Sequence, residues 1–202
     1  MESPASALIA IDLALVPPEW VQERARRISR TLSDGGLQLD TTHLPHISLA
    51  QCFVWRAALP LLIERLSLVL RSAVPLPIRA LAVVDQQSTI SFLLDRTPEL
   101  LLLHESLMDA IKEWEEEGGG AEAFYSEGEP PRAKDVDWVT NYRAQASYSK
   151  FIPHITLGFG EVREIGGSFD FVANEVGLYH LGRFCTCRVL LRAWELDYYG
   201  ER

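Results

Sequence analysis

The chain carries one pentapeptide twice, as PHISL at residues 45–49 and as PHITL at residues 153–157. Each copy opens an apolar stretch that predicts a β-strand. Residues two apart on a strand point to the same face, so His46 stands beside Ser48 and His154 stands beside Thr156. The Ile and Leu of each copy point to the opposite face. Each copy therefore offers an imidazole and a hydroxyl together, backed by two apolar side chains.

One such histidine alone would more often be a structural residue whose ring is hydrogen-bonded to a neighbour. Two copies that share the preceding Pro, the Ile and the following Leu are much harder to obtain by chance. We therefore interpret the duplicated pentapeptide as functional.

Two imidazoles and two hydroxyls around one point suit displacement at phosphorus. A histidine titrates near pH 6.5, so one ring can accept a proton while the other donates one. A general base then activates water or a hydroxyl, and a general acid protonates the leaving oxygen. Ser48 and Thr156 would donate hydrogen bonds to the non-bridging phosphate oxygens. This chemistry requires no metal or cofactor, and the sequence contains no Gly-x-x-x-x-Gly-Lys loop.

Hydrophobic periodicity and turn residues predict alternating strands and helices in the first half and mainly strands at the end, which indicates an α/β or α+β domain. The predicted strands span residues 7–15, 46–54, 78–84, 89–94, 154–160, 175–184 and 186–196. The predicted helices span residues 18–33, 59–73 and 97–116, the last starting with a capping Thr97 before Pro98. Residues 117–150 lack a regular pattern, so we predict a flexible or substrate-proximal loop there.

Composition limits the class of protein. The chain has 202 residues, a net charge of −9 and 48% apolar residues, which fits one folded domain and excludes a generally basic nucleic-acid-coating surface. Its three cysteines are too few for a disulfide framework and make a poor zinc signal, and they favour a reducing compartment. No segment approaches the roughly 18 apolar residues of a membrane span. We predict a cytoplasmic monomer with no membrane partner.

The acidity of the chain is local. Seven glutamates lie between Glu113 and Glu129, with no Lys or Arg among them. A cleft elsewhere in the protein can therefore still be positive, although the acidic segment repels bulk polyanion. This distribution favours a small or end-bound phosphate substrate over a long duplex.

Four residues just before the second pentapeptide are candidates for substrate binding. Tyr142, Arg143, Tyr148 and Lys150 could stack on a base and neutralise a phosphate. The alternative is an exposed loop with ordinary polar residues. Trp138, on the same predicted loop, is a further candidate.

The remaining histidines are better interpreted as structural. His43 precedes the first pentapeptide and is expected in a loop. His104 falls on the predicted polar side of a helix, and His180 lies in a late strand.

The two His-x-Ser/Thr motifs resemble the two-histidine phosphoesterase superfamily, which includes RNA 2',5'-ligase-like proteins and cyclic nucleotide phosphodiesterases. The resemblance covers most of the chain, including an aromatic-x-Pro element at residues 151–153. It implies one bilobal α+β domain over residues 1–202, in which each lobe is an antiparallel sheet flanked by helices. The lobes would be related by a pseudo-two-fold axis, with the motifs facing each other across a cleft.

The resemblance also implies a reaction. His46 and His154 would be the acid and base, and Ser48 and Thr156 would bind the phosphate. The substrate would be a nucleotide or RNA end that carries a 2',3'-cyclic phosphate or a 2',5'-phosphodiester. The residues leave open which histidine is the acid.

Two other classes of protein fit the sequence less well. A non-catalytic module that binds a nucleotide or an RNA end would keep the same cleft, but the intact histidines and hydroxyls disfavour it. An acyl- or sugar-acting hydrolase lacks support because the chain has no Gly-x-Ser-x-Gly elbow.

Overall fold

The computed structural model describes residues 7–32, 36–86, 89–161 and 167–198. These residues form eight strands and four α-helices. The strands are β1 Leu8–Val16, β2 Ile47–Trp55, β3 Leu76–Gln86, β4 Thr89–Leu94, β5 His154–Phe159, β6 Phe169–Ala173, β7 Glu175–Leu181 and β8 Cys187–Glu195. The helices are α1 Glu19–Ser29, α2 Leu59–Leu70, α3 Pro98–Ile111 and α4 Ala133–Ala146.

The strands make two antiparallel four-stranded sheets. The first sheet has the order β2-β1-β7-β8, and the second has the order β5-β4-β3-β6. The two pentapeptides therefore lie on different sheets, and β2 and β5 are each an edge strand. These two edge strands contact each other, while α3 and α4 pack on β2 and α1 packs on β5. The expected two-lobed α+β fold, with helices flanking both sheets, is confirmed.

The two faces of the first sheet differ in their side chains on β1. On β1, Ile9, Ile11, Leu13 and Leu15 belong to the main hydrophobic core and are at most 1% exposed. Asp12 points to the opposite face, where its neighbours on the strand are alanines. The face that carries Asp12 is therefore the one that contacts Ser48 of the first pentapeptide.

The helix start predicted at Thr97 is confirmed. The Thr97 side chain accepts a hydrogen bond of 3.3 Å from the Leu100 backbone N–H, and Pro98 occupies the first turn. The predicted helix 97–116 is shorter as α3, which ends at Ile111 before a 3-10 turn at Lys112–Trp114. No α-helix within the described ranges is long and apolar enough to cross a membrane.

The prediction of an irregular segment over residues 117–150 is wrong for α4. This helix follows a Pro-Pro pair, and the Asp135 carboxylate caps its start by accepting a 2.8 Å hydrogen bond from the Arg132 backbone N–H. Its periodic signal is weak because few apolar residues, among them Val139 and Tyr142, are buried. Several α4 side chains line a cavity between the two sheets.

The other differences from the predictions are local. Strand β6 was not predicted, and it pairs with β3. The predicted strand 175–184 ends at Leu181, because Phe184 and Cys185 adopt left-handed backbone angles of 63° and 53° in φ. The helix predicted over residues 18–33 is observed as α1, which ends at Ser29. Residue 33, the end of the predicted helix, lies outside the described ranges.

Candidate active site

The two motif histidines share one local structure. Nδ1 of His46 donates to the carbonyl oxygen of Leu44 over 2.6 Å, and Nδ1 of His154 donates to the carbonyl oxygen of Ile152 over 2.9 Å. In both copies the accepting residue precedes a proline, which restricts it to extended conformations. The repeated proline therefore fixes the ring orientation, and Nε2 remains for proton transfer in each copy.

Both motifs open onto one cavity of about 730 Å³ between the two sheets. His46, Ser48, His154 and Thr156 all line it. The structure therefore brings the four motif side chains together, although the two histidines lie 108 positions apart along the chain. A cavity of this size suits a small organic ligand such as a nucleotide.

Asp12 lies beside the first motif and is fully buried. It stands opposite Gln51 in the β1–β2 register. The hydroxyl of Ser48 and the Nε2 amide of Gln51 each donate to Oδ2 of Asp12 over 2.6 Å. Nε2 of His46 lies 3.5 Å from the same oxygen. The Ser48 proton is therefore directed to Asp12, and this hydroxyl must turn to serve a phosphate oxygen.

The two motif histidines differ in their electrostatic surroundings. Burial lowers the pKa of His46, but the hydrogen bond and negative charge of Asp12 outweigh burial, so this pKa is raised above 6.5. Burial lowers the pKa of His154 below 6.5, more than its hydrogen bond to Ile152 raises it, and the charge of His46 lowers it further. One ring thus favours the protonated form and the other favours the neutral form.

The cavity also has a wall of cations and aromatic rings. The guanidinium of Arg132 lies 4.1 Å from the centre of the Phe184 ring, and Nζ of Lys134 lies 5.2 Å from the centre of the Phe159 ring. Trp138 lines the same cavity. Such groups can neutralise a phosphate and stack on a base.

Sequence reasoning missed most of this wall and the residues beside the first motif. A charged residue in the middle of the apolar strand β1 was the available signal for Asp12. The site residues that were missed are Asp12, Gln51, Arg132, Lys134, Phe159 and Phe184.

Two of the four candidate substrate-binding residues line the cavity. Tyr142 is 3% exposed, and its hydroxyl donates to the backbone carbonyl oxygen of Ser48 over 3.3 Å. Nζ of Lys150 donates to the carbonyl oxygen of Ala144 over 2.7 Å. Tyr142 therefore supports the first motif strand from α4 as well as lining the cavity.

The structure does not place Arg143 and Tyr148 among the residues that line the cavity. Arg143 binds both carboxylate oxygens of Glu115, at 2.5 and 2.6 Å, and donates to the Tyr148 hydroxyl over 2.6 Å. Tyr148 in turn donates to Asp109 over 2.7 Å. These side chains form a network that joins α4 to α3 and its following turn.

The other histidines lie away from the cavity. His43 binds Asp40 through Nδ1 over 3.0 Å. His180 is buried and donates from Nε2 to the carbonyl oxygen of Ala123 over 2.9 Å. His104 is fully buried, so its predicted place on the polar side of the helix is wrong.

One group in the described part of the chain could hold a metal ion. The candidate ligand atoms of Asp12, His46 and Cys187 lie within 4.8 Å of one another. Carboxylate, imidazole and thiolate are all zinc ligands. Burial raises the pKa of the Cys187 thiol, which opposes metal binding because the thiolate is the ligand. An ion in this position would occupy Nε2 of His46 and would therefore block that ring as an acid or base.

A family model described as the 2'-5' RNA ligase superfamily matches residues 16–180. The chain belongs to this superfamily. The resemblance inferred from the two motifs is thereby confirmed. No curated protein sequence matches this superfamily member.

Solved structures share the fold of this 2'-5' RNA ligase superfamily member. TT0787 of Thermus thermophilus has a TM-score of 0.63 at 14% identity, covering 95% of this chain and 100% of TT0787. E. coli LigT in its apo form has a TM-score of 0.57 at 16% identity, covering 95% of this chain and 99% of LigT. E. coli LigT complexed with 3'-AMP has a TM-score of 0.53 at 17% identity, with the same coverage. At these sequence identities, the structural similarity establishes a shared fold and nothing about the reaction.

Proposed function

We propose that this protein is a metal-independent phosphoesterase that hydrolyses 2',3'-cyclic phosphates or 2',5'-phosphodiesters of nucleotides or RNA ends. One observation carries the proposal: two histidines with the same backbone-fixed orientation line one cavity, and their pKa values shift in opposite directions. A cationic ring and a neutral ring are the acid and base that displacement at phosphorus requires. Thr156, and Ser48 after its hydroxyl has turned, would bind the non-bridging oxygens.

The wall of the cavity supports a nucleotide as the substrate. Lys134 and Lys150 bring positive charge to the cavity, whereas Arg132 is paired with Asp135. The aromatic rings that line the cavity are those of Trp138, Phe159 and Phe184. E. coli LigT, which shares the fold, has been crystallised with 3'-AMP. We expect a ligand with a phosphate and a base to occupy the cavity between the two sheets.

The decisive experiment is product formation in the presence of EDTA. Cyclic 2',3'-mononucleotides and 2',5'-linked dinucleotides would be incubated with the protein, and products would be identified by mass. We expect His46→Ala and His154→Ala each to lower turnover by about two to four powers of ten. His43→Ala is the matched control, because His43 lies outside the cavity, and it should keep its activity.

Retained activity in both the His46→Ala and His154→Ala variants would refute the proposal. Binding of a cyclic nucleotide by the unaltered protein without any product would instead support the non-catalytic binding module. Activity that disappears with EDTA and returns with a metal would refute the metal-independent mechanism.

We also propose that the protein acts as a monomer in the cytoplasm. Its three cysteines are free thiols, and Cys52 and Cys187 are buried, which fits a reducing compartment. Light scattering after size exclusion would give the mass: a dimer contradicts this part of the proposal.

A further inference from the structure

The connection between β7 and β8 has an unusual backbone. Phe184 and Cys185 adopt consecutive left-handed φ angles of 63° and 53°. A bulky residue with positive φ is a rare outlier, because its Cβ crowds the backbone. Such outliers persist where the surrounding structure holds them, and they gather at functional sites. The groups that hold this turn, and the place to which it directs the Phe184 ring, therefore indicate a role.

Asp135 on α4 is the group that holds this turn. It is 2% exposed, and its Oδ2 accepts a 3.0 Å hydrogen bond from the Phe184 backbone N–H. Its backbone carbonyl oxygen accepts from the Cys185 thiol over 3.6 Å. The same carboxylate binds the Arg132 side chain at 2.5 to 3.1 Å. A buried carboxylate needs such donors, so Asp135 fixes the Phe184 backbone and the Arg132 guanidinium together.

The Phe184 side chain meets two partners in the cavity. Its ring centre lies 5.4 Å from that of Phe159 and 4.1 Å from the guanidinium carbon of Arg132. All three side chains line the cavity. Phe184 follows a strand of the first sheet and Phe159 ends β5 of the second, so the ring pair connects the two sheets. We call Arg132, Phe159 and Phe184 the ring platform.

A β-bulge directs the second ring of the platform. The pairing of β5 with β4 shifts between Thr156 and Gly158, where Leu157 is one extra residue. In a regular strand Phe159 and Thr156, three positions apart, would point to opposite faces. Both line the cavity instead. Two separate backbone irregularities thus direct the two rings of the platform to the same space.

The hydrophobic core does not explain the platform. Among the described residues, neither Phe159 nor Phe184 belongs to a core cluster or packs against one. Both side chains are half-buried. A strained turn that holds an aromatic ring at a cavity wall contributes little to the stability of the fold. Ligand binding is the better explanation of this arrangement.

The platform lies one nucleoside away from the motif hydroxyls. Phe159 follows Thr156 by three residues, which corresponds to about 10 Å along a strand. On α4, Tyr142 donates to the Ser48 carbonyl oxygen, and Lys134 lies near the Phe159 ring. These two α4 residues are eight positions apart, about 12 Å along a helix. A ribose with a phosphate on one side and a base on the other can bridge such a separation.

We propose that the ring platform is the base-binding subsite of this protein: the base of the substrate stacks on Phe159 and Phe184 while its phosphate lies at the motif side chains. Asp135 is a positioning residue that holds the platform. The inference rests on the function proposed above and specifies its substrates as phosphates that carry a base. Stacking accepts every base, and the larger purine ring should bind somewhat better than a pyrimidine.

The test compares two cyclic phosphates that differ in the base. Adenosine 2',3'-cyclic phosphate carries one, and methyl ribofuranoside 2,3-cyclic phosphate does not. In the unaltered protein KM should be about 5- to 100-fold lower for the adenosine compound. Phe184→Gly and Phe159→Leu should remove most of this difference and leave kcat within about threefold. Trp55→Leu, at an exposed aromatic residue that does not line the cavity, is the matched control and should change neither value.

Two further variants test the positioning role. Asp135→Asn should raise KM for the adenosine compound and much less for the base-free compound, whereas a merely structural role would affect both alike. Combined with Phe184→Gly, it should remove no further base preference, because both changes act through one ring. Phe184→Gly should resist urea better than Phe184→Ala, because glycine adopts a φ of 63° without crowding. The reverse order would contradict the strained turn.

Binding separates the inference from the proposed function. Calorimetry would compare 3'-AMP with ribose 3-phosphate, which needs no turnover. Tighter binding of 3'-AMP that is lost in Phe184→Gly supports the platform whether or not product forms. Equal binding of the two compounds by the unaltered protein overturns the platform. Absence of product from both cyclic compounds overturns the proposed function alone. If Asp135→Asn does not fold, the Phe159 and Phe184 variants decide.

Discussion

His104 donates a hydrogen bond from Nδ1 to the carbonyl oxygen of Leu49 over 2.6 Å and so ties α3 to the first motif strand. Its Nε2 accepts a 2.9 Å hydrogen bond from the backbone N–H of Tyr148, and its ring stacks on Phe151 with centroids 3.9 Å apart. One buried ring thus links the first motif to the segment that leads into the second. Both hydrogen bonds require the neutral ring with its proton on Nδ1.

This ring should make stability depend on pH. Burial is the main reason that the pKa of His104 is lowered to about 4, and the hydrogen bond to Leu49 only partly opposes it. Because the unfolded chain titrates near 6.5, protons favour unfolding. The contribution of His104 is fully present above about pH 6.5 and is lost as the pH falls towards 4.

His104→Gln removes this titration and isolates the contribution. Urea unfolding would be measured for both proteins between about pH 8 and pH 4.5. The unaltered protein should lose roughly 1 to 2 kcal/mol more stability over this range than the variant. The variant should be the less stable protein at pH 8, because two buried hydrogen bonds are weakened. Parallel stability curves would contradict the assigned role.

The two motif hydroxyls should respond differently to removal. Thr156→Val keeps the shape and removes a proposed phosphate ligand, so kcat/KM should fall about 10- to 100-fold, with stability changed by less than about 1 kcal/mol. Ser48→Ala removes the corresponding ligand and also a donor to buried Asp12. It should therefore lose similar activity and, in addition, about 1 to 3 kcal/mol of stability by urea unfolding. Equal stability of the two variants would show that the Ser48–Asp12 hydrogen bond contributes nothing.

Variants of Lys134 and Arg143 would show which of these two cations contributes to substrate binding. Lys134→Ala removes a cation that lines the cavity, so KM for a nucleotide substrate should rise about 3- to 10-fold, and less so in high salt. Arg143→Met breaks the ion pair with Glu115 and should cost about 2 kcal/mol of stability while KM of the folded protein stays within about twofold. Steady-state kinetics and urea unfolding give both quantities. A large increase in KM for Arg143→Met would show that Arg143 contributes to substrate binding.

Zinc should inhibit the reaction. An ion held by Asp12, His46 and Cys187 would take Nε2 of His46 out of proton transfer. Inhibition should strengthen as the pH rises, because the thiol must lose its proton to bind the metal, and EDTA should restore activity. Cys187→Ser should keep its activity and need about tenfold more zinc for half inhibition. Cys52→Ser is the control for a buried cysteine elsewhere. Equal zinc sensitivity of all three proteins would exclude this site.

Local sequence patterns were sufficient to predict most of the strands and helices. The strands predicted over 89–94 and 154–160 and the cap at Thr97 agree with the structure to within one residue, because turn residues and apolar runs act over short distances. The helix α4 was missed since its buried face is carried by few residues, and its cap depends on Arg132 and Asp135. Strand β6 was missed because it is short and gains its place by pairing with β3.

The sequence by itself determined the candidate site: the duplicated His-x-Ser/Thr motif singled out the four motif side chains, because a two-residue spacing on a strand already places imidazole and hydroxyl together. Only the tertiary structure decided what surrounds them. Asp12 reaches Ser48 and Gln51 across 36 and 39 residues of sequence, through the pairing of β1 with β2. Such contacts are set by strand order and register, which no local pattern encodes. The same long-range packing places Arg143 in an ion pair and Lys134 on the cavity wall.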